Sequence, residues 1–297
     1  MSLSLFTPES TDFSVDHLNF FVQLSKTAYS NEQAMLATLK EHSIDIPFSD
    51  IFIENNDTDT QCFVFSYQTH IFIIFRGSEA KAVDWKTNFT YKKMPWPYHE
   101  AKGEVHSGFY NAVDSVWEKI NSKVEREIKR IHENNEVANL WFSGHSLGGG
   151  LAQLACTRFL LTGLPENVVI RESYVFAAPR FASKKLANYI TQKFGQTIYR
   201  VVKNGDLVPR TPHRFAGYKN AFTLKFFNNQ EQLISATDFS VLNKLSHYFS
   251  DVILFTQYAI GLVPIINVFL FKNVGKKHSI FEYERLCLQL KEKFNRH

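Results

Sequence analysis

One serine lies between two glycines in the segment G-H-S-L-G, residues 144–148. An apolar run over residues 137–142 precedes the segment and a helical apolar run over residues 151–161 follows it. A sharp strand-to-helix turn of this kind lifts a serine Oγ clear of a sheet, and the glycines leave room where a Cβ would clash. We therefore predict that Ser146 is a nucleophile; the alternative is a tight Gly-Ser turn without chemical meaning.

A nucleophilic serine needs a base to take its proton and a carboxylate to orient that base. Asp206 follows an apolar run over residues 198–202, so its carboxylate would face the same sheet edge as the serine; a turn-former or helix cap is the alternative. His278 lies in a polar loop before a helix, which suits a base swung over the serine. His247, within a predicted helix, is the fallback, and His213 follows the aspartate too closely to reach around.

Acyl transfer also requires backbone donors for the oxyanion. The residue after the nucleophile, Leu147, offers its N–H directly. A second donor is predicted at Ser78, because the buried strand over residues 70–75 runs into a turn that Gly77 makes sharp. The Ser78 hydroxyl would add a further contact. A plain strand-to-loop turn is the alternative at this position.

Helical and strand patterns alternate along the chain and predict the elements that position these residues. Strands are predicted near Ile51, Phe63 and Ile71 and over residues 137–142, 168–176, 198–202 and 222–227, and helices over residues 18–42, 113–131, 151–161 and 184–194. Alternation of this kind predicts an α/β fold, with a mostly parallel central sheet and helices on both faces. No linker or repeat divides residues 1–297, so we expect one domain.

Composition narrows the class of protein. The 297 residues are 44% hydrophobic, enough for a sizeable core, and the net charge of +4 is spread along the chain, so we expect no nucleic-acid partner. Cys62, Cys156 and Cys287 are odd in number and lie in apolar surroundings, which indicates buried free thiols. No metal-ligand spacing is present, and we expect no cofactor.

The first residues do not resemble a secretory leader. Residues 1–16 lack a basic start followed by an apolar core. We expect a cytoplasmic or peripheral membrane location. Export by a route without a signal would leave no mark in the sequence and stays open.

Several segments, in one order, resemble the class 3 lipases, also called the fungal-type triacylglycerol lipases. They are Phe75-Arg76-Gly77-Ser78, Asp84-Trp85, Val105-His106-Ser107-Gly108-Phe109, residues 144–149 and Asn204-Gly205-Asp206-Leu207-Val208-Pro209-Arg210, with a looser match at His278-Ser279-Ile280 and Tyr283. The resemblance implies an α/β-hydrolase fold, a catalytic triad of Ser146, Asp206 and His278, and an oxyanion hole of Ser78 and Leu147.

The same resemblance implies a serine hydrolase that cleaves carboxylic esters of lipids, with a glycerolipid as the expected substrate and an acyl-enzyme intermediate. Three alternatives stay open. A phospholipase or an esterase for soluble esters would use the same triad, and a lipid-binding protein with a decayed site would use none of it.

Two segments are predicted to contact lipid. The resemblance places a lid-like loop at residues 86–104, whose lysines and aromatic residues suit an anionic lipid surface; a permanently ordered loop is the alternative. The apolar insertion over residues 252–271 is long enough to span a bilayer, but spanning would leave His278 on the far side from Ser146. We interpret the insertion as an acyl-chain wall or an interfacial face, and a buried core hairpin is the alternative.

Overall fold

The computed structural model describes residues 13–46, 51–78, 91–98, 101–235 and 277–296. The helices are α1 (Val15–Thr27), α2 (Glu32–Glu41), α3 (Ser107–His132), α4 (Leu147–Thr162), α5 (Lys184–Phe194) and α6 (Ile280–Phe294). The strands are β1 (Phe52–Asn55), β2 (Thr60–Tyr67), β3 (His70–Phe75), β4 (Lys93–Pro95), β5 (Glu104–His106), β6 (Ala138–His145), β7 (Val168–Ile170), β8 (Ser173–Phe176), β9 (Ala182–Ser183), β10 (Ile198–Lys203), β11 (Tyr218–Lys219), β12 (Thr223–Phe227) and β13 (Leu233–Ser235).

The main sheet has the strand order β1-β2-β3-β6-β8-β10-β12-β13, with β7 also paired to β6. Strands β3, β6, β8, β10 and β12 run parallel to one another. The outer pairings are antiparallel: β1 with β2 and β2 with β3 at one edge, and β13 with β12 at the other. The sheet is therefore mostly parallel, as predicted, and the chains that leave β3, β6 and β10 emerge at the same edge.

Both faces of this sheet are covered by helices. Every residue of β6 is buried, which is the burial expected of a central parallel strand. Phe142 belongs to the hydrophobic cluster that includes side chains of α3, α4 and α5 on one face, and its neighbour Trp141 belongs to the cluster that includes side chains of α1, α2 and α6 on the other. Alternate side chains of one strand thus join two separate hydrophobic clusters.

Two predicted elements are each divided in the structure. The helix predicted over residues 18–42 is two helices, because the Asn31 side chain accepts a hydrogen bond from the Ala34 N–H (2.9 Å) and caps a new helix. The strand predicted over residues 168–176 is β7 and β8, both of which run parallel to β6. Apolar periodicity alone does not register such interruptions, since both halves bury apolar side chains.

A second, antiparallel sheet of order β11-β9-β5-β4 holds part of the predicted lid-like loop. Strand β4 pairs with β5, Trp96 is buried, and the Arg158 guanidinium lies 5.3 Å from the centre of the Tyr98 ring. Residues 86–90 and 99–100 lie outside the described residues, so movement of the loop stays a prediction.

The apolar insertion over residues 252–271 also lies outside the described residues, as does His247. Within the part of the chain that the structure describes, helices are too short or too polar to cross a bilayer. Cys62, Cys156 and Cys287 are buried and free, as predicted from their surroundings.

Candidate active site

Ser146 occupies the turn between β6 and α4 with backbone angles φ 60° and ψ −129°. Positive φ is costly for a residue with a Cβ, on the order of 1–3 kcal/mol, and is typical of functional turns. The Ser146 N–H donates to the Phe176 carbonyl (2.9 Å), which holds the turn against β8. A Cβ on Gly144 would lie 2.5 Å from the Gly148 carbonyl carbon, so the close approach of strand and helix requires glycine.

The structure brings together the serine, the histidine and the aspartate predicted from the sequence. His278 Nε2 lies 2.9 Å from Ser146 Oγ, and His278 Nδ1 lies 3.0 Å and 3.1 Å from the two carboxylate oxygens of Asp206. Ser146 and Asp206 are 2% and 1% exposed. In this series the imidazole can take the proton of the alcohol while the carboxylate holds the ring in place.

Asp206 is held by two further donors. The Val208 N–H donates to Oδ1 (3.0 Å), and the Tyr283 hydroxyl donates to Oδ2 (2.7 Å). The same hydroxyl accepts a hydrogen bond from the Lys203 N–H (3.0 Å) at the end of β10. Burial, with the nearby Asp206 charge, raises the pKa of Tyr283 well above its ordinary value, so the phenol stays a donor.

Sequence reasoning did not assign Tyr283 a role in the site. The signal available was its position in the first turn of α6, shortly after His278, in the segment that resembles the lipase histidine region. Its hydroxyl reaches Asp206 only because α6 packs against the main sheet. The contact therefore depends on tertiary structure.

The two other candidate histidines fare differently. His213 Nδ1 accepts from the Ala216 N–H (3.0 Å), and its ring packs 5.3 Å from the ring of Tyr91, so His213 serves a local turn. His247 lies outside the described residues. The imidazole that contacts Ser146 Oγ is therefore that of His278.

The predicted oxyanion donors flank this arrangement. Leu147 is the first residue of α4, and the first N–H groups of a helix have no acceptor within it. The turn after β3, which leads to Ser78, packs directly on the other side, since a Cβ on Gly77 would lie 2.7 Å from the His145 carbonyl oxygen. The roles of Ser78 and Leu147 as donors stay predictions.

No metal site accompanies these residues in the part of the chain that the structure covers, where no group of three His, Cys, Asp or Glu side chains could hold an ion.

The sheet is mostly parallel, the serine lies on a strained strand-to-helix turn, and the histidine comes from a later segment of the chain. This is the architecture of the α/β-hydrolases. The family described as Lipase (class 3) matches residues 72–216. Over this span, which holds Ser146 and Asp206, the chain is similar to the class 3 lipases.

Individual relatives agree with this similarity. The chain is 30% identical over 150 residues to secreted mono- and diacylglycerol lipase 1 of Fusarium solani, covering 50% of this chain and 41% of that protein. It is 28% identical over 246 residues to triacylglycerol lipase OBL1 of Arabidopsis thaliana, covering 66% and 46%. The chain thus spans less than half the length of either relative.

Solved structures share the fold. The lipase in the Rhizomucor miehei lipase propeptide complex superposes with a TM-score of 0.59 at 20% sequence identity, covering 77% of this chain and 79% of that one. At this level of identity the likeness concerns the α/β-hydrolase fold.

Proposed function

We propose that this protein hydrolyses carboxylic esters of glycerolipids through an acyl-enzyme intermediate on Ser146. The observation that carries the proposal is the 2.9 Å contact between Ser146 Oγ and His278 Nε2, on a ring whose other nitrogen contacts Asp206. The match to the Lipase (class 3) family over residues 72–216 supports the lipid ester as the substrate class.

The proposed reaction has two halves. His278 takes the Ser146 proton while Oγ attacks the ester carbonyl, and the N–H groups of Leu147 and Ser78 receive the developing oxyanion. Collapse of the tetrahedral intermediate breaks the carbon–oxygen bond to the alcohol, which takes the proton from the imidazolium. Water then attacks the acyl-enzyme by the same steps, and the fatty acid leaves. Asp206 stabilises the imidazolium in both halves.

A glycerolipid is proposed over a soluble ester because relatives are named as mono-, di- and triacylglycerol lipases. The proposal extends to contact with a lipid surface through the lid-like loop, whose described part carries Lys92 and Lys93 beside Tyr91 and Met94. Cationic and amphipathic side chains suit an anionic interface. The cytoplasmic or peripheral membrane location stays a prediction.

A fluorophosphonate probe tests the nucleophile. It should label the wild-type protein at Ser146, and the labelling should be lost in Ser146→Ala. Ser143→Ala, which changes a buried serine three residues before Ser146, should keep the labelling. An unlabelled wild-type protein would favour the lipid-binding alternative instead.

Substrate class is tested by rates on mono-, di- and triacylglycerol emulsions, phosphatidylcholine vesicles and short soluble esters. The proposal expects the highest kcat/KM on an acylglycerol. A preference for vesicles would indicate a phospholipase, and a preference for soluble esters would indicate an esterase.

A further inference from the structure

The imidazole of His145, the residue before the candidate nucleophile, joins two distant parts of the chain. Its Nε2 lies 2.8 Å from the backbone carbonyl oxygen of His278, and its Nδ1 lies 2.8 Å from the hydroxyl of Tyr29. The side chain is not available to solvent, with 4% of the residue exposed. His145 binds the backbone of His278, whereas the His278 ring contacts Ser146 and Asp206, so the two imidazoles have different parts in the site.

The partners of this ring determine where its proton lies. A carbonyl oxygen can only accept, so Nε2 must carry the hydrogen and donate it to His278. Nδ1 then holds the lone pair and accepts from the Tyr29 hydroxyl. Burial and, to a smaller extent, the neighbouring His278 keep the pKa of His145 well below its ordinary value, so the ring is neutral. In this form both ring nitrogens have a hydrogen-bond partner.

This bond fixes the backbone of the candidate base. His278 is 132 residues from Ser146 along the chain, so contacts must set its position. His145 ends β6 and directly precedes Ser146, which means that the strand carrying the serine also binds the His278 carbonyl. The rings of His145 and His278 lie 4.7 Å apart, centre to centre, tilted by 32°. A neutral neighbour at that distance also avoids repulsion when His278 takes up a proton.

Tyr29 extends the connection to the other side of the site. A Cβ on Gly77 would overlap the Tyr29 hydroxyl, so the hydroxyl fills the space beside the turn that leads to Ser78. Burial raises the pKa of Tyr29 above its ordinary value and keeps the phenol protonated. One hydroxyl therefore contacts the predicted oxyanion turn and the ring that binds the base loop.

We propose that His145 and Tyr29 are positioning residues. The Tyr29 hydroxyl binds the His145 ring, and the His145 ring binds the His278 carbonyl. Together they hold the His278 backbone and the turn before Ser78 in place relative to Ser146. The proposal rests on the proposed hydrolysis of lipid esters. It predicts that these residues govern the turnover step and leave substrate binding almost unchanged.

The test compares steady-state kinetics on a dispersed acylglycerol and the rate of fluorophosphonate labelling for three variants. His145→Leu removes both hydrogen bonds and should lower kcat and the labelling rate by about 100-fold with KM within about threefold of wild type, as expected when a base is displaced. Tyr29→Phe should lower kcat by roughly 5- to 20-fold, because Nδ1 stays buried without a donor.

His145→Gln is the conservative variant. Its amide nitrogen can donate to the His278 carbonyl and its amide oxygen can accept from Tyr29, so kcat should return to within about fivefold of wild type. Two controls remove buried polar groups away from the site. His70→Leu deletes the acceptor of the Trp141 Nε1 hydrogen (3.0 Å), and Tyr174→Phe deletes a hydroxyl bonded to the Ser14 N–H (2.8 Å). Both controls should keep wild-type kcat even where the melting temperature falls.

The two proposals fail in different ways. Absence of hydrolysis and labelling in the wild-type protein would overturn the proposed function. With an active wild type, kcat values for His145→Leu and Tyr29→Phe within about twofold of the controls would overturn the positioning proposal. A rise confined to KM, or a His145→Gln variant as slow as His145→Leu, would also overturn it.

Discussion

The Tyr283 hydroxyl donates a 2.7 Å hydrogen bond to Asp206 Oδ2, the same oxygen that lies 3.0 Å from His278 Nδ1. Helix α6 thus begins just after the candidate base and returns a tyrosine to the carboxylate that orients it. Asp206 is fully buried, so each of its donors offsets part of the cost of removing a carboxylate from water.

Tyr283→Phe is expected to lower kcat by roughly tenfold and to destabilise the fold by about 1–3 kcal/mol, because Asp206 loses a donor and the Lys203 N–H loses its acceptor. Ester hydrolysis and urea unfolding measure the two effects. Tyr174→Phe is the matched control, since it removes another buried hydroxyl without touching Asp206. A Tyr283→Phe variant with control-like kcat would show that the other donors suffice.

Asp206→Asn should retain the fold but lose about a thousandfold or more in kcat, because an amide can no longer hold the imidazole in the tautomer that accepts the serine proton. Asp114→Asn is the control, since Asp114 is exposed and pairs with Arg158 (2.7 Å) on α4. Single-turnover rates with an activated ester would locate the loss in acylation. Near-wild-type acylation in Asp206→Asn would contradict the proposed role.

The choice of base can be tested by alanine substitution. His278→Ala should lower kcat by about a thousandfold or more, because nothing then takes the Ser146 proton. His213→Ala, which removes the acceptor of a local turn and a ring contact with Tyr91, should keep activity. His247→Ala should also keep it. If His247→Ala abolished turnover and His278→Ala kept it, the assignment from the sequence would be wrong.

Because of His106, we expect the stability of the fold to fall at acid pH. The residue caps α3 by accepting a hydrogen bond from the Phe109 N–H (3.3 Å), and burial lowers its pKa from 6.5 to about 4. A pKa that is lower in the folded state means that the unfolded chain binds the proton first. The stabilisation is therefore complete above about pH 6.5 and is lost as the pH falls toward 4, by up to about 1.4 kcal/mol per pH unit.

His106→Asn provides the comparison, because asparagine caps a helix without titrating in this range. The unfolding free energies of the wild type and the variant are measured from pH 7.5 to pH 4. As the pH falls, the wild type should lose more stability than the variant. Taking the difference cancels the effects of His42 and His145, whose pKa values are also lowered. A difference that stays constant with pH would assign the acid sensitivity to other groups.

Prediction from sequence worked where the structural signal is local. The glycines around Ser146 are needed because neighbouring backbone segments approach within contact distance, and the apolar runs on either side are the strand and helix that meet there. The prediction was wrong where a polar side chain interrupts an apolar pattern, as Asn31 does between α1 and α2. A side-chain cap competes with continuation of the helix, and apolar periodicity does not reveal which of the two prevails.

By itself, the sequence determined the mostly parallel α/β sheet, the strand-to-helix turn at Ser146 and the order of the residues able to carry an acyl transfer, because these depend on conformational preferences within a few residues. Only the tertiary structure decided that the His278 ring meets Ser146, that Tyr283 supports Asp206 and that His145 and Tyr29 bind the His278 backbone. These contacts join residues more than 70 positions apart, and their partners are selected by how helices α1 and α6 pack on the sheet.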